Sequence, residues 1–411
     1  MARQVLLHER AHLAPGLADL HRLLGRGAAE VGAEGPWVEL SDGRSVLDFG
    51  SYAVTLLGHR HPRVVQAVRD ALDLLPTSTR LLPNAATTGL ASRLAEVAGG
   101  GTRSRVVLGL NGSDVVEASL KLAMAATGIP RLIAVQGAFH GKTLGALAVT
   151  DDDVHRRPFL PLFPHVRFVE PEPGAVADAL REEPAAAVIF EPIQGEGGGR
   201  AIPADVLRAW SDDIHRQGGF VIVDEIQVGL RRCGPLSLTQ ELEIPADAVL
   251  LGKPLGGGVM PLSAAVCSDE LYRPLLDDPF FHTATFGGHP LSCAAGVAAL
   301  ECLDDLGPAV DALAPVLDEG LRSLALRHPG VVTTTRAFGV FGVVDATTVE
   351  AAHLLLAEAA RRGVLLAPCL GAPTTLRVLP PAIADPTDVV GGLGILDEAC
   401  IAVGRRLGMS A

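Results

Sequence analysis

Apolar residues change their spacing along this chain, and the changes predict distinct regions. Within the first 35 residues leucines recur at helical spacing and predict an N-terminal arm (Leu17, Leu20, Leu23, Leu24). Two alternating runs on either side of Asp42-Gly43 then predict a β-hairpin (37–40 and 45–49). Helical patterns follow at 62–75 and 86–98.

From Arg105 onwards, short runs that are apolar throughout alternate with helical stretches. Unbroken apolar runs are expected for strands buried on both faces, and their alternation with helices predicts an α/β fold with a mostly parallel sheet. The predicted strands are 105–110, 131–136, 186–191, 219–224, 248–252 and 262–267. The predicted helices between them are 114–127, 174–181, 204–217 and 236–241.

A long helical pattern at 291–327 ends the sheet region, and 330–411 predicts a smaller α+β domain. Its predicted strands lie near 330–335, 339–344, 363–367 and 374–379, and its helices near 347–362 and 387–406. We therefore expect a large domain (61–305) and a small C-terminal domain (306–411). The arm and hairpin (1–60) are assigned to the small domain.

Composition excludes several classes of protein. The net charge of −13 argues against nucleic acid as a partner, because phosphate binding needs a basic face. No apolar run reaches the ~20 residues of a membrane span, and the N-terminus lacks a signal-peptide pattern, so a cytoplasmic location is expected. The six cysteines and thirteen histidines show no metal-ligand spacing, and no metal is expected.

Polar residues collect directly after the predicted strands, where open parallel sheets bind ligands. Gly112-Ser113 opens a predicted helix, and helix-terminal amides with a serine hydroxyl suit a phosphate. Taken alone, an ordinary helix cap is the simpler explanation. The chain has no GxGxxG and no GxxxxGK[ST] motif, which argues against a dinucleotide or a P-loop nucleotide.

Two charged residues stand out at strand ends. Asp224 follows an apolar strand, where a carboxylate needs a partner such as a protonated ring nitrogen, although an arginine would serve as well. Lys253 is one of three lysines and precedes Pro254 and three glycines, which leaves room for a planar ring beside a nucleophilic amine. Its alternative is a surface lysine. Lys121 lies four residues after Glu117 and predicts a helical ion pair instead.

Together, these features specify a cofactor. A phosphate site at Gly112-Ser113, an aromatic side chain at Phe139, the carboxylate of Asp224 and the amine of Lys253 match the parts of pyridoxal 5′-phosphate. This cofactor acts as an electron sink, and the protein supplies orientation and control of protons.

With these residues placed, the chain from about residue 36 resembles the class III (ω-) aminotransferases, which are fold-type I pyridoxal-phosphate enzymes. The motifs that carry the resemblance are Asn111-Gly112-Ser113, Ala138-Phe139-His140-Gly141-Lys142-Thr143, Glu191-Pro192-Ile193-Gln194-Gly195-Glu196-Gly197, Asp224-Glu225-Ile226-Gln227, Gly252-Lys253-Pro254-Leu255-Gly256-Gly257-Gly258 and Thr285-Phe286-Gly287-Gly288-His289-Pro290. The runs at 256–261 and 278–288 look most like the putrescine aminotransferase branch.

The resemblance implies a role for each matching residue. Lys253 would form the aldimine and move the proton, and Asp224 would pair with the pyridinium nitrogen. The other cofactor-binding residues would be Gly112 and Ser113 at the phosphate, Phe139 and Ile226 on the two ring faces, Gln227 at the ring hydroxyl, and His140. Thr285 would reach the phosphate of a neighbouring subunit, which implies a homodimer. The substrate residues would be Tyr52, Glu196 and Arg377, with Arg377 taking a carboxylate and Glu196 neutralising Arg377 when an amine binds.

Differences from the family pattern leave the reaction open. Arg231 stands where the family has a glycine, and His289 where it usually has an asparagine. The leading hypothesis is transfer of an amino group from an amine or amino acid to an oxo acid. The alternative is another use of the substrate carbanion, namely elimination or replacement, carbon–carbon bond formation, racemisation or decarboxylation. A third hypothesis is a catalytically silent relative that acts as a binding partner.

Overall fold

A computed structural model of the chain describes residues 2–161 and 165–408. Its helices are α1 (Ala2–His12), α2 (Pro15–Leu24), α3 (Pro62–Leu74), α4 (Ala85–Ala98), α5 (Gly112–Thr127), α6 (Leu144–Ala148), α7 (Asp153–Arg156), α8 (Ala175–Glu182), α9 (Ala204–His215), α10 (Leu238–Glu241), α11 (Asp269–Asp277), α12 (Pro290–Asp305), α13 (Gly307–Arg327), α14 (Val349–Arg362) and α15 (Pro386–Arg406). Its strands are β1 (Glu30–Glu34), β2 (Trp37–Leu40), β3 (Ser45–Phe49), β4 (Arg103–Gly109), β5 (Leu132–Val135), β6 (Val166–Val169), β7 (Ala187–Phe190), β8 (Ile193–Gln194), β9 (Arg200–Ala201), β10 (Phe220–Asp224), β11 (Ala248–Leu251), β12 (Ser263–Ser268), β13 (Val332–Phe338), β14 (Phe341–Ala346), β15 (Val364–Pro368) and β16 (Thr375–Val378).

The chain divides into two compact units. The large unit is Pro62–Asp305, and the small unit combines Met1–His61 with Leu306–Ala411.

The large unit is built on a seven-stranded sheet in the order β4-β12-β11-β10-β7-β5-β6. The strands from β11 to β6 pair in parallel, and β12 runs antiparallel to both of its neighbours. Every residue of β5, β7 and β11 is buried, as expected for strands covered on both faces. The predicted mostly parallel α/β sheet is confirmed.

The small unit has its own seven-stranded sheet in the order β1-β2-β3-β15-β16-β14-β13. The predicted hairpin is present, because β2 pairs with β3 in antiparallel fashion around Asp42-Gly43. Strand β3 then pairs in parallel with β15, more than 300 residues further along the chain. That pairing makes the N-terminal hairpin and the C-terminal strands parts of one sheet.

The structure contains elements that the apolar spacing did not predict. Strand β6 and helices α6, α7 and α11 lie in stretches that carried no prediction. The single helical pattern at 291–327 forms two helices, α12 and α13, which meet at Leu306. None of the helices in the described ranges combines the length and the hydropathy that crossing a membrane would require.

Candidate active site

Asp224 is the last residue of β10 and is buried at the carboxyl edge of the large sheet. One carboxylate oxygen, Oδ2, lies 2.8 Å from His140 Nδ1, and the other accepts a hydrogen bond from the Ile226 amide at 3.0 Å. The partner of this strand-end carboxylate is therefore a buried histidine rather than an arginine. His140 Nε2 is also buried and has no partner among the described residues.

Lys253 follows the neighbouring strand. In the parallel pairing of β10 with β11, Asp224 lies opposite Leu250, so the lysine comes three residues beyond that pair. Its backbone has φ of 44°, a left-handed conformation that costs a non-glycine residue about 1 kcal/mol or more and is concentrated at functional sites. A Cβ at Gly252 would lie 3.1 Å from Ile226 Cγ2, so the segment before the lysine packs tightly on Ile226.

Helix α5 begins at Gly112, with Asn111 as its cap. Asn111 and Asp114 form a capping box, in which each side chain accepts a hydrogen bond from the backbone amide of the other. The cap residue is therefore Asn111, and Gly112 and Ser113 occupy the first two helical positions, whose amides have no intrahelical partner. This arrangement leaves two amides and the Ser113 hydroxyl at the positive end of a 16-residue helix.

Glycines bring neighbouring loops close to this helix terminus. A Cβ at Gly112 would lie 2.9 Å from Ile226 Cδ1, and a Cβ at Gly141 would overlap the Ser113 hydroxyl. The helix start, the loop after β5 and the loop after β10 are thus in contact at one edge of the sheet.

The loop after β5 carries Phe139 and His140. Phe139 is partly buried, and the His140 amide donates to Thr150 Oγ1 at 2.9 Å. On the loop after β10, the Gln227 side chain packs against Gly195 so closely that a Cβ there would overlap Gln227 Oε1. Both polar atoms of the buried Gln227 amide lack a hydrogen-bond partner among the described residues.

Glu191 belongs to this site, and the sequence interpretation assigned it no role. It directly follows β7 and is buried; its Oε1 accepts from the Phe139 amide at 2.9 Å and its Oε2 from the Gly195 amide at 3.0 Å. Burial is the largest effect and raises the pKa of this carboxyl to about 7, against the lowering effects of His140 and of the two backbone hydrogen bonds; Asp224 adds a smaller raising effect. The signal that could have identified Glu191 is the one used for Asp224, a carboxylate directly after an apolar strand.

The remaining four predicted residues are divided between the two units. Glu196 is buried in the large unit, on the loop after β8, and Thr285 is exposed on the loop before α12. Tyr52 and Arg377 belong to the small unit. Arg377 is fully buried on β16, and its Nη2 donates to the Pro368 carbonyl at 2.6 Å.

Tyr52 lies in a strained turn of the small unit. Residues Ser51–Ala53 all have positive φ, with Tyr52 at φ 50° and ψ 32° and its side chain exposed. The buried carboxylate of Asp48 holds the flanking backbone by accepting from the Gly50 amide and the Thr55 hydroxyl, each at 3.0 Å. The turn therefore presents Tyr52 outward on a fixed backbone.

One sequence prediction outside the core of the site changes. Glu117 does not pair with Lys121, because its Oε1 accepts from the Gly145 and Ala146 amides at the start of α6. Lys121 Nζ instead lies 3.2 Å from His282 Nδ1. The ion pair predicted from their spacing is therefore wrong.

Comparison with known proteins identifies the class of enzyme. The sheet topology with a lysine, an aspartate and a helix terminus at one edge is that of a fold-type I pyridoxal-phosphate enzyme. The family model for class-III aminotransferases matches residues 28–400, so the chain belongs to the class-III aminotransferase family. It is accordingly a pyridoxal-phosphate-dependent aminotransferase, which confirms the predicted fold, cofactor and activity.

Solved structures agree with that assignment. Ornithine aminotransferase from Toxoplasma gondii is 27% identical, with a TM-score of 0.84 over 92% of this chain and 91% of that chain. A transaminase from the marine bacterium Virgibacillus (19% identity, TM-score 0.85, 92% and 94% covered) shares the fold. An amine transaminase from an uncultivated Pseudomonas species (24% identity, TM-score 0.81, 92% and 95% covered) does so as well.

Proposed function

We propose that this enzyme moves an amino group from an ω-amino donor to an oxo acid, with Lys253 as the lysine that holds the cofactor. The observation that carries the proposal is the pair formed by His140 and Asp224, because Asp224 ends β10 in register with β11, the strand that ends beside Lys253. The name of the ornithine aminotransferase, whose substrate carries both an α- and an ω-amino group, supports an ω-amino donor.

The residues present fit pyridoxal phosphate. The Gln227 amide is buried with two unpaired polar atoms, and a group carrying a hydroxyl would satisfy them. The amides of Gly112 and Ser113 at the start of α5 suit a phosphate, and the absence of a side chain at Gly141 keeps the Ser113 hydroxyl accessible. Ile226 and Phe139 supply apolar surface for a planar ring.

When bound, pyridoxal phosphate supplies an electron sink for the donor carbon. The chain's own residues supply the rest. The Asp224 carboxylate would pair with the protonated ring nitrogen, and His140 Nδ1, 2.8 Å from Asp224 Oδ2, fixes the orientation of that carboxylate. The Lys253 amine, on its strained backbone, would hold the cofactor and would take and return the proton of the donor carbon.

Covalent labelling tests the role of Lys253. Because the chain has only three lysines, borohydride reduction of the holoenzyme followed by peptide mass mapping distinguishes all of them. We expect the cofactor mass on Lys253, its loss in Lys253→Ala, and normal labelling of Lys253 in the control Lys142→Ala. A label on Lys121 or Lys142 would overturn the assignment.

Single-turnover absorbance with diamines, ω-amino acids and α-amino acids tests the reaction and its donor. Amino transfer leaves the amine form of the cofactor and releases an oxo product. Elimination, racemisation or decarboxylation, the competing reactions on this fold, would return the starting spectrum. The proposal predicts the first result with ω-amino donors, and a response to α-amino acids alone would contradict it.

The predicted homodimer, with Thr285 reaching a partner's site, is part of the proposal. It is supported by large apolar side chains that the single chain leaves exposed on two loops of the large unit. Leu81 is 89% exposed and Phe280 81% exposed. Arg80 donates a hydrogen bond to the Ala284 carbonyl, so the two loops are neighbours, and apolar surface shared by neighbouring loops is typical of protein–protein contacts. The cytoplasmic location expected from the sequence stays a prediction.

A further inference from the structure

Glu191 connects two loops that the proposed cofactor site requires. Its Oε1 accepts from the amide of Phe139 and its Oε2 from the amide of Gly195, so each carboxylate oxygen holds a different loop. The first loop continues to His140, and the second packs against the side chain of Gln227. By accepting hydrogen bonds from these two backbone amides, one buried carboxylate fixes the loop that carries Phe139 and His140 and the loop that packs against Gln227.

The same carboxylate is electrically coupled to the Asp224–His140 pair. The Phe139 amide that Glu191 holds directly precedes His140, whose Nδ1 lies 2.8 Å from Asp224 Oδ2, so the three side chains belong to one buried group. Burial raises the pKa of Glu191, with His140 lowering it and Asp224 raising it as smaller effects. Two further carboxyl groups lie on the loops involved: Glu196 follows Gly195 in the chain, and Asp151 accepts from the Gly137 amide at 2.7 Å on the loop after β5. Because water is excluded from these buried groups, a change in charge at Glu191 acts on Asp224 and His140 with little screening.

We infer that Glu191 is a positioning residue for the cofactor ring: its carboxylate fixes the Phe139 and Gly195 loops, and its charge acts on the Asp224–His140 pair. A carboxylate suits this task because it offers acceptors in both directions, whereas an amide offers one acceptor and one donor. The inference rests on the proposed function, since it concerns how the ring is held and not whether it is bound.

Glu191→Gln separates this role from general stability. The glutamine side chain has the same shape, but it presents an N–H to one of the two backbone amides and carries no charge. We expect the dissociation constant of the cofactor, measured by fluorescence, to rise by about 5- to 30-fold, as for one lost buried hydrogen bond. Above pH 7, where the Glu191 carboxyl is ionised, Glu191→Gln removes a negative charge. We therefore expect the pH midpoint of the holoenzyme's cofactor absorbance in that range to fall by about half a unit or more.

The matched control is Glu225→Gln. Glu225 is also a buried carboxyl that follows β10 and accepts from backbone amides, those of Leu238 and Thr239. These hydrogen bonds hold the start of α10, whereas those of Glu191 hold the loop that carries His140. We expect Glu225→Gln to lower the free energy of unfolding while leaving the pH midpoint within error of the wild type. Glu191→Asp retains the charge, so its pH midpoint should lie close to the wild-type value.

Three outcomes would overturn the inference: an unshifted midpoint in Glu191→Gln, an equal shift in Glu225→Gln, or no recovery in Glu191→Asp. Failure of the proposed function would look different. In that case the wild-type chain itself would lack the reducible label on Lys253, whereas failure of the inference leaves that label intact.

Discussion

At the scale of single residues, the loop after β10 shows how an arginine replaces a glycine of the family pattern. Leu230 and Arg231 have φ of 53° and 75°, so the family's glycine at position 231 matches a left-handed backbone. Arg231 adopts that backbone and donates from its guanidinium to the carbonyls of Leu303, at 3.2 Å, and Gly234, at 3.4 Å. These are structural contacts within the large unit, which argues against a role in choosing the substrate.

A pair of variants separates backbone strain from side-chain bonding at Arg231. Arg231→Gly loses both hydrogen bonds but relieves the strain, so we expect the free energy of unfolding to change by less than about 1 kcal/mol. Arg231→Ala loses the bonds and keeps the strain, so it should be about 1 kcal/mol less stable than Arg231→Gly. Urea unfolding measures both. The KM values for donor and acceptor should be unchanged in each variant. A changed substrate preference would show that this loop does help to select the substrate.

Residue chemistry was predictable where it was local. Lys253 stood out because lysine is rare in this chain, and Asp224 because a carboxylate ended an apolar strand. The partner of Asp224 was not predictable, because His140 lies 84 residues away and meets it only through the sheet. Glu191 carries the same local signal as Asp224, a carboxylate directly after an apolar strand. Its partners, the Phe139 and Gly195 amides, were not predictable, because only the fold brings their two loops together.

At the scale of elements, the predicted C-terminal end of helix α5 agrees with the structure, but the predicted start is two residues, or about half a turn, too late. The apolar pattern began at Asp114, whereas the Asn111 capping box starts the helix at Gly112. That shift matters chemically, because it makes Gly112 and Ser113 the first helical residues rather than a cap. Capping is a local signal and Asn111 was visible in the sequence, so this boundary was predictable from the residues alone.

The close approach of Gly141 to the start of α5 predicts a specific loss of cofactor binding. In Gly141→Ala the new methyl group would collide with the Ser113 hydroxyl, so Ser113 must move away from the proposed phosphate position. We expect the cofactor's dissociation constant to rise at least about tenfold, the equivalent of one charge-assisted hydrogen bond. Equilibrium dialysis of the reconstituted enzyme measures it.

Gly128→Ala is the matched control for that variant. Gly128 ends the same helix with φ of 71°, but a Cβ there would have no atom within 4 Å. It should therefore cost about 1 kcal/mol of stability through backbone strain and leave cofactor affinity unchanged. If both variants lost affinity equally, the effect of Gly141→Ala would be global and the proposed phosphate position would lose its support.

At the scale of the whole molecule, apolar periodicity predicted the large sheet and could not predict which distant segments pair. The parallel pairing of β3 with β15 joins residues more than 300 positions apart, and no local pattern encodes it. Strand order in the large sheet has the same limit. The sequence predicted β12 as one more strand of a mostly parallel sheet, but its antiparallel direction emerged only from the fold.

Oligomeric state is the property of the whole molecule with the sharpest test. The exposed apolar loops around Leu81 and Phe280 predict a dimer in sedimentation or light scattering. If Thr285 acts across the interface, each site needs Lys253 from one subunit and Thr285 from the other. Lys253→Ala and Thr285→Ala homodimers would then both be impaired, but for different reasons.

Mixing those two variants decides whether the sites are shared. After subunit exchange at equal concentrations, half of the dimers are hybrids, and each hybrid has one site with both wild-type residues. We therefore expect about a quarter of the wild-type number of intact sites, measured as activity at limiting cofactor. If Thr285 serves its own subunit instead, a hybrid has no intact site and activity does not recover. Native mass spectrometry of the mixture confirms that hybrids formed, so an absence of recovery would count against a shared site.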